Sequence, residues 1–130
     1  HWERKGSFCH GWSSGPTYFL QEEILGVKPG GAGWGKILIE PHPTKLAWAR
    51  GNIPTPCGTI SVEWKTGDVF SLEVDIPAEA TVVLPLMKQG HVDVTDRNKK
   101  IPPKYERLTD SGGRATVILR EPGTYRLISK

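Results

Sequence analysis

The sequence predicts a mainly β fold, an antiparallel β-sandwich or jelly roll of about eight strands, preceded by a loop and one helix. Two observations carry this prediction. Short runs of β-branched and apolar residues recur at regular spacing after residue 35, and no helical period interrupts them. Turn-forming residues separate these runs, in a chain of 130 residues that contains 15 Gly and 11 Pro.

The N-terminal part differs from the rest. Residues 1–11 show neither a period of two nor one of 3.6, which predicts a loop. A helix is predicted from Ser13 or Ser14, either of which can cap it, through an apolar stripe to Leu25, with Gly26 as its C-cap. The flexible turn Pro29–Gly33 follows, so we place a boundary near residue 30, between an N-terminal segment (1–30) and a β domain (31–130).

The strands follow from alternation and from turn residues. In Thr59–Lys65 the side chains of Ile60, Val62 and Trp64 share one face, and the turn Thr66–Asp68 predicts a hairpin with the next strand. The polar segment Asp96–Gly113 is predicted to be a long solvated loop. The eight predicted strands are Lys36–Glu40, Leu46–Arg50, Thr59–Lys65, Val69–Ile76, Ala80–Leu84, His91–Thr95, Ala115–Arg120 and Thr124–Ile128.

Composition excludes several classes of function. The 17 Lys and Arg against 14 Asp and Glu are interspersed, and a net charge of +3 disfavours nucleic-acid binding. The longest apolar run, Val82–Met87, is broken by Pro85 and is far shorter than the roughly 18 residues that cross a membrane. Because the chain begins with His1 and its one Met is Met87, we expect a piece of a longer protein whose compartment this sequence leaves open.

No metal or cofactor is expected. The four histidines lack metal-ligand spacing, and the glycines of residues 30–35 follow no strand and precede no helix, so they are read as a linker and not as a phosphate loop. Cys9 and Cys57 are expected to be free thiols buried as small hydrophobes, in preference to a disulfide. Cys9 beside His10 is a poor nucleophile and base pair, because adjacent residues rarely align sulfur with imidazole.

The densest cluster of reactive side chains lies within the first 13 residues: Trp2 and Glu3, then Cys9–Ser13. A carboxylate beside indole rings suits carbohydrate chemistry, since the apolar face of a sugar stacks on an aromatic ring while the carboxylate activates water. The alternative is a solvated Glu3 beside tryptophans that anchor a core. In the β region Trp64 is expected in the core, whereas Trp34 and Trp48 are candidates for a sugar platform.

Five motifs carry a family resemblance, strong over residues 1–86. They are Ser7–Leu20 (SFCHGWSSGPTYFL), Leu25–Pro29 (LGVKP), Gly33–Pro41 (GWGKILIEP), Leu46–Gly51 (LAWARG) and Pro54–Trp64 (PTPCGTISVEW). The first two resemble the end of the catalytic domain of bacterial α-L-rhamnosidases of glycoside hydrolase family 78. The others resemble the opening strands of that family's C-terminal β-sandwich.

The resemblance implies that residues 1–30 are the last part of an (α/α)6 catalytic barrel. It implies that Glu3 is the general base of inverting hydrolysis, and that Trp2, His10 and Trp12 contact the sugar. The general acid is expected outside this chain, so the chain alone is expected to be inactive. The expected partners are the remainder of the (α/α)6 domain and rhamnose-containing glycans or glycosides, and the alternatives are an independent carbohydrate-binding module or a purely structural sandwich.

Overall fold

Two five-stranded sheets pack face to face in a computed structural model that describes residues 20–30, 34–43, 45–99, 105–109 and 113–130. Sheet A has the strand order β1-β2-β6-β9-β8, and sheet B has the order β3-β4-β5-β10-β7. The strands are β1 Val27–Pro29, β2 Lys36–Ile39, β3 Trp48–Thr55, β4 Gly58–Thr66, β5 Phe70–Ile76, β6 Glu79–Pro85, β7 Val92–Asp96, β8 Tyr105–Thr109, β9 Arg114–Leu119 and β10 Gly123–Ser129. The predicted β-sandwich is confirmed.

Seven of the eight strand pairings in the described residues are antiparallel, and β2–β6 is parallel. The exception follows from chain order. After β2 the chain crosses to sheet B for three consecutive strands, and it returns as β6 beside β2 in the same direction.

The core is formed by the inward-facing residues of both sheets. Ile60, Val62 and Trp64 are buried on one face of β4, as predicted, and Trp64 stacks on Phe70 with ring centroids 6.0 Å apart. The β4–β5 hairpin forms at the predicted turn. Alternate positions of β6 and β9, including Val82 and Val117, complete the core from sheet A.

The described part of the predicted helix is a short π-helical segment, Leu20–Leu25. It ends at Gly26, whose φ of +77° agrees with the predicted C-cap role. Ile24 and Leu25 are partly buried against the core, and the Trp64 Nε1–H donates to the Ile24 carbonyl at 3.0 Å. This segment therefore packs on β3 and β4. Residues 1–19 lie outside the described residues.

Three parts of the strand prediction were wrong. The expected loop Asp96–Gly113 contains β8, which was missed because this edge strand exposes residues 105–108 and has no alternating apolar face. The three-residue strand β1 was also missed, since it follows the helix directly. The second predicted strand, Leu46–Arg50, is displaced and too short, because β3 begins at Trp48 and continues to Thr55.

Two residues, Gly51 and Pro54, would be expected to interrupt β3, and the structure shows why they do not. Gly51 makes room for Leu25, since a Cβ there would lie 2.5 Å from the Leu25 Cδ1 atom. Pro54 is accepted because β3 is an edge strand and need not donate on its free side. Cys57, expected to be buried, lies exposed in the turn between β3 and β4, because the two strands reverse direction there at the surface.

Candidate functional site

The predicted catalytic cluster lies outside the described residues: Trp2, Glu3, His10 and Trp12 all belong to residues 1–19. Their catalytic and sugar-binding roles stay predictions. The π-helical segment Leu20–Leu25 is the described part of the chain nearest to them in sequence.

The two predicted platform residues lie in different environments. Trp34 is partly buried and packs against the core, so only part of its ring is free. Trp48 is 57% exposed at the start of the edge strand β3, opposite Lys65 of β4. Trp48 is therefore the better placed of the two for an external ligand, and its role as a sugar platform stays a prediction.

The outer face of sheet B carries a polar groove of about 140 Å³ that sequence reasoning missed. Across the strands, Arg50 pairs with Glu63, Glu63 with Glu73, and Glu73 with Arg126. The next row places Asn52 beside Ser61 and Ser61 beside Asp75. The outward positions of three predicted strands could have revealed this groove, had the strand order been known.

Cations offset the repulsion within the groove. Glu63 and Glu73 face each other directly, which by itself destabilises a sheet. Arg97 Nη1 lies 3.0 Å from Glu73 Oε2, Arg126 Nε lies 3.8 Å from Glu73 Oε1, and Lys65 Nζ lies 3.5 Å from Glu63 Oε1. These exposed pairs contribute little to stability, and they leave a hydrated surface rich in hydrogen-bonding groups.

This groove lacks the geometry of a glycosidase site. Hydrolysis by inversion needs an acid and a base on opposite sides of the scissile bond, about 6.5–9.5 Å apart. Glu63 and Glu73 instead project side by side from one sheet face. The groove can bind polar groups, but it offers no flanking carboxylates for catalysis.

Sheet A borders a second depression, of about 300 Å³, beside the segment 41–43. Pro41, Pro43 and Pro85 make its walls largely apolar, and His42 and Arg114 add polar edges. Arg114 also pairs with Glu40. Nothing in this arrangement provides a nucleophile or an acid and base pair.

At the C-terminal end of β10 one carboxylate has a perturbed pKa. Asp93 Oδ2 lies 2.9 Å from Lys130 Nζ, and its Oδ1 lies 2.7 Å from His91 Nε2. The hydrogen bond from Lys130, followed by that from His91, lowers the pKa of Asp93 below 3.8. The side chains of His91, Asp93 and Lys130 are all exposed at this end of sheet B.

In the described ranges no three His, Cys, Asp or Glu side chains come together as metal ligands. No helix within the same ranges is long and apolar enough to cross a bilayer.

The structure thus defines the class of protein: a β-sandwich domain with a polar outer face on sheet B. The sequence model of the bacterial alpha-L-rhamnosidase C-terminal domain matches residues 26–100, more than half of the chain. The chain belongs to this family.

Similar proteins agree with that assignment. An alpha-L-rhamnosidase of Alteromonas sp. (strain LOR) is 50% identical over 61 residues, which are 45% of this chain and 7% of that protein. The crystal structure of the Streptomyces avermitilis alpha-L-rhamnosidase complexed with L-rhamnose aligns with a TM-score of 0.72 and 22% identity, over 86% of this chain and 10% of that one. The alpha-L-rhamnosidase from Dictyoglumus thermophilum aligns with a TM-score of 0.64 and 22% identity, over 86% and 13%. This chain therefore spans about a tenth of the length of these relatives.

Proposed function

We propose that this chain is the C-terminal part of an α-L-rhamnosidase that hydrolyses terminal α-L-rhamnosides with inversion, and that its sandwich caps and supports the catalytic domain. The family match over residues 26–100 carries the proposal. The packing of Ile24 and Leu25 on the core supports it, because it ties the end of the proposed catalytic segment to the sandwich.

In this proposal Glu3 is the general base. Its carboxylate takes a proton from the water that attacks the anomeric carbon, while an acid elsewhere protonates the leaving oxygen. Trp2 and Trp12 offer aromatic faces to the sugar, and His10 offers ring nitrogens that hydrogen-bond its hydroxyls. The sandwich holds the end of the catalytic domain in place through the Trp64–Ile24 hydrogen bond.

In this proposal the 130-residue chain contains the general base, Glu3, but not the general acid. A water activated by Glu3 would meet a glycosidic bond whose leaving group has no proton donor, so hydrolysis would not proceed at a useful rate.

The experiment compares this chain with the longer protein that carries the proposed catalytic domain, each incubated with an α-L-rhamnosyl disaccharide, whose alkoxide leaving group must be protonated as it departs. We expect release of rhamnose by the longer protein alone, with the β-anomer of rhamnose as the first product by NMR. Cleavage by the 130-residue chain would contradict its dependence on the missing domain. No cleavage of any α-L-rhamnoside by the longer protein would contradict the activity.

A second candidate function is carbohydrate binding by the sandwich, and the 57% exposure of Trp48 is the observation that favours it. Exposed aromatic rings stack on sugars, and the polar groove lies on the same sheet face. Titration of the chain with L-rhamnose and rhamnose-containing oligosaccharides, followed by tryptophan fluorescence, tests it. A saturable change that disappears in Trp48→Ala would support sugar binding, and an unchanged spectrum would exclude it for these ligands.

A further inference from the structure

The polar groove on the outer face of sheet B contains hydrogen-bonding side chains that no other described residue engages. Outward positions of β3, β4 and β5 line most of it, and β10 adds one more. Within the described ranges, five of the lining side chains make neither a hydrogen bond nor an ion pair: Arg50, Asn52, Ser61, Asp75 and Thr124. The groove therefore presents guanidinium, amide, hydroxyl and carboxylate groups that a ligand can use.

These side chains are close enough together for one ligand to contact several of them. Asn52 lies beside Ser61, and Ser61 beside Asp75, on strands that are about 5 Å apart. Arg50 precedes Asn52 by two residues on the same face, a distance of about 7 Å. The groove of about 140 Å³ is smaller than the roughly 300–1,000 Å³ of pockets that enclose a drug-sized ligand, so its ligand would lie across the open sheet face.

The charges around the groove disfavour a charged ligand. Its three carboxylates, Glu63, Glu73 and Asp75, repel an anion. The cations that line the groove or contact these carboxylates repel a basic ligand, and they are Arg50, Lys65, Arg97 and Arg126. Because the two signs nearly balance, neither is attracted strongly, and recognition depends on hydrogen bonds.

Trp48 adds an aromatic ring to the same face of the sheet. It precedes Arg50 by two residues in β3, so the two side chains point to the same side, about 7 Å apart along the strand. Trp48 is 57% exposed, and its neighbour across the strands is Lys65. An aromatic ring beside rows of hydrogen-bonding groups matches a sugar, whose ring face is apolar and whose hydroxyls project from its edge.

We infer that the groove is a binding site for an uncharged oligosaccharide. The Asp75 carboxylate accepts hydrogen bonds from sugar hydroxyls, and the Asn52 amide and the Arg50 guanidinium donate to them. Trp48 stacks on the next sugar ring along β3. This inference deepens the second candidate function, carbohydrate binding by the sandwich, and rests on it for the class of ligand. It assigns the site to the groove and gives Trp48 a supporting role.

An NMR titration of the backbone amides of the 130-residue chain tests the inference. The probe is an uncharged rhamnose-containing oligosaccharide, and an oligogalacturonate of the same length is the charged comparison. The uncharged probe should shift the amides of Asn52, Ser61 and Asp75 saturably and leave those of β9, in the other sheet, unchanged. Its affinity should be equal at about 50 and 500 mM salt, because salt does not screen the binding of an uncharged ligand. Tighter binding of the oligogalacturonate, or an affinity that falls with salt, would overturn the inference.

Two single substitutions remove hydrogen-bonding groups from the groove. Asp75→Ala and, separately, Asn52→Ala should each weaken the affinity for the uncharged probe at least about fivefold. Both positions are exposed, so the fold should be retained, and the amide spectrum of each variant checks this. Asp68→Ala, at an exposed position in the β4–β5 turn outside the groove, is the matched control and should leave the affinity unchanged. Unchanged affinity in both groove variants would contradict the inference.

A third variant and the titration itself separate the competing results. Binding that is lost in Trp48→Ala but unaffected by Asp75→Ala and Asn52→Ala would reject the groove alone and leave carbohydrate binding in place. No saturable shift with the uncharged probe would reject both. Amide shifts of the groove that grow with protein concentration, without saccharide, would assign this face to a second copy of the chain and overturn the inference. The rhamnosidase activity of the longer protein is measured separately, so its loss and the loss of the groove are independent results.

Discussion

Gly26 joins the π-helical segment to β1 in a conformation that other residues avoid. Its φ is +77°, and a Cβ at this position would lie 2.0 Å from the Glu40 carbonyl oxygen. The Glu40 N–H donates to the Gly26 carbonyl at 2.7 Å, so neither backbone can move aside without breaking that bond. The positive φ and the lack of room for a Cβ atom therefore both require glycine at this position.

Gly26→Ala is expected to lower the free energy of unfolding by about 1–3 kcal/mol or more. The left-handed backbone conformation is unfavourable for alanine, and the added Cβ would overlap the Glu40 carbonyl. Chemical denaturation measures the change. Gly35→Ala is the control, since no atom lies within 4 Å of a Cβ there, and a change within about 0.5 kcal/mol is expected. Similar losses in both variants would refute the special role of Gly26.

Asp93 provides the pH-dependent prediction. Because its pKa is lowered in the folded protein, its stabilising contribution is present above the unfolded pKa of about 3.9 and is lost as pH falls through the lowered value. In an NMR titration of its carboxyl carbon we expect a midpoint below 3.8, which Lys130→Met should raise toward 3.8. Lys88→Met, an exposed lysine, should leave the midpoint unchanged. An unchanged midpoint in Lys130→Met would contradict the assignment of the lowered pKa to the hydrogen bond from Lys130.

At the scale of elements, the attachment of the π-helical segment depends on one buried indole. Trp64 is fully buried, yet its ring N–H reaches the Ile24 carbonyl, so one residue fills the core and holds the segment. A buried indole needs such an acceptor, and the segment supplies it.

Trp64→Phe should lower the free energy of unfolding by about 1–3 kcal/mol, through the lost hydrogen bond and the smaller ring. Amide exchange near residues 24–26 should also accelerate relative to that in β9. Trp48→Phe, at an exposed position, should change stability by less than about 0.5 kcal/mol. Unchanged exchange near residue 24 would show that the indole does not hold the segment.

The sequence predicted those strands that have one buried face and one solvent-exposed face. Thr59–Lys65 and Val69–Ile76 alternate because each has a core face, and both became strands in the predicted hairpin. β8 has no such alternation, because it is defined by its backbone pairing with β9 and not by a buried face. The continuation of β3 through Gly51 was also hidden, since the reason for that glycine is Leu25, a contact remote in sequence.

For the whole molecule, the sandwich follows from the spacing of strands and turns, but strand order does not. The polar groove depends on placing β3, β4 and β5 side by side, and β10 between β5 and β7, which alternation alone does not specify. The candidate catalytic residues came from motifs in residues 1–19, which the structure does not describe. Their roles thus still rest on the resemblance of these motifs to the rhamnosidase family.

The catalytic role proposed for Glu3 is tested by the kcat of the longer protein with Glu3→Gln and, separately, with Glu23→Gln. Glu3→Gln should lower kcat by about 10²- to 10⁴-fold, because the amide cannot accept the proton of the attacking water. Glu23, an exposed residue of the π-helical segment, is the matched control, and its substitution should leave kcat unchanged. Full activity with Glu3→Gln would contradict the account, as would equal losses in the two variants.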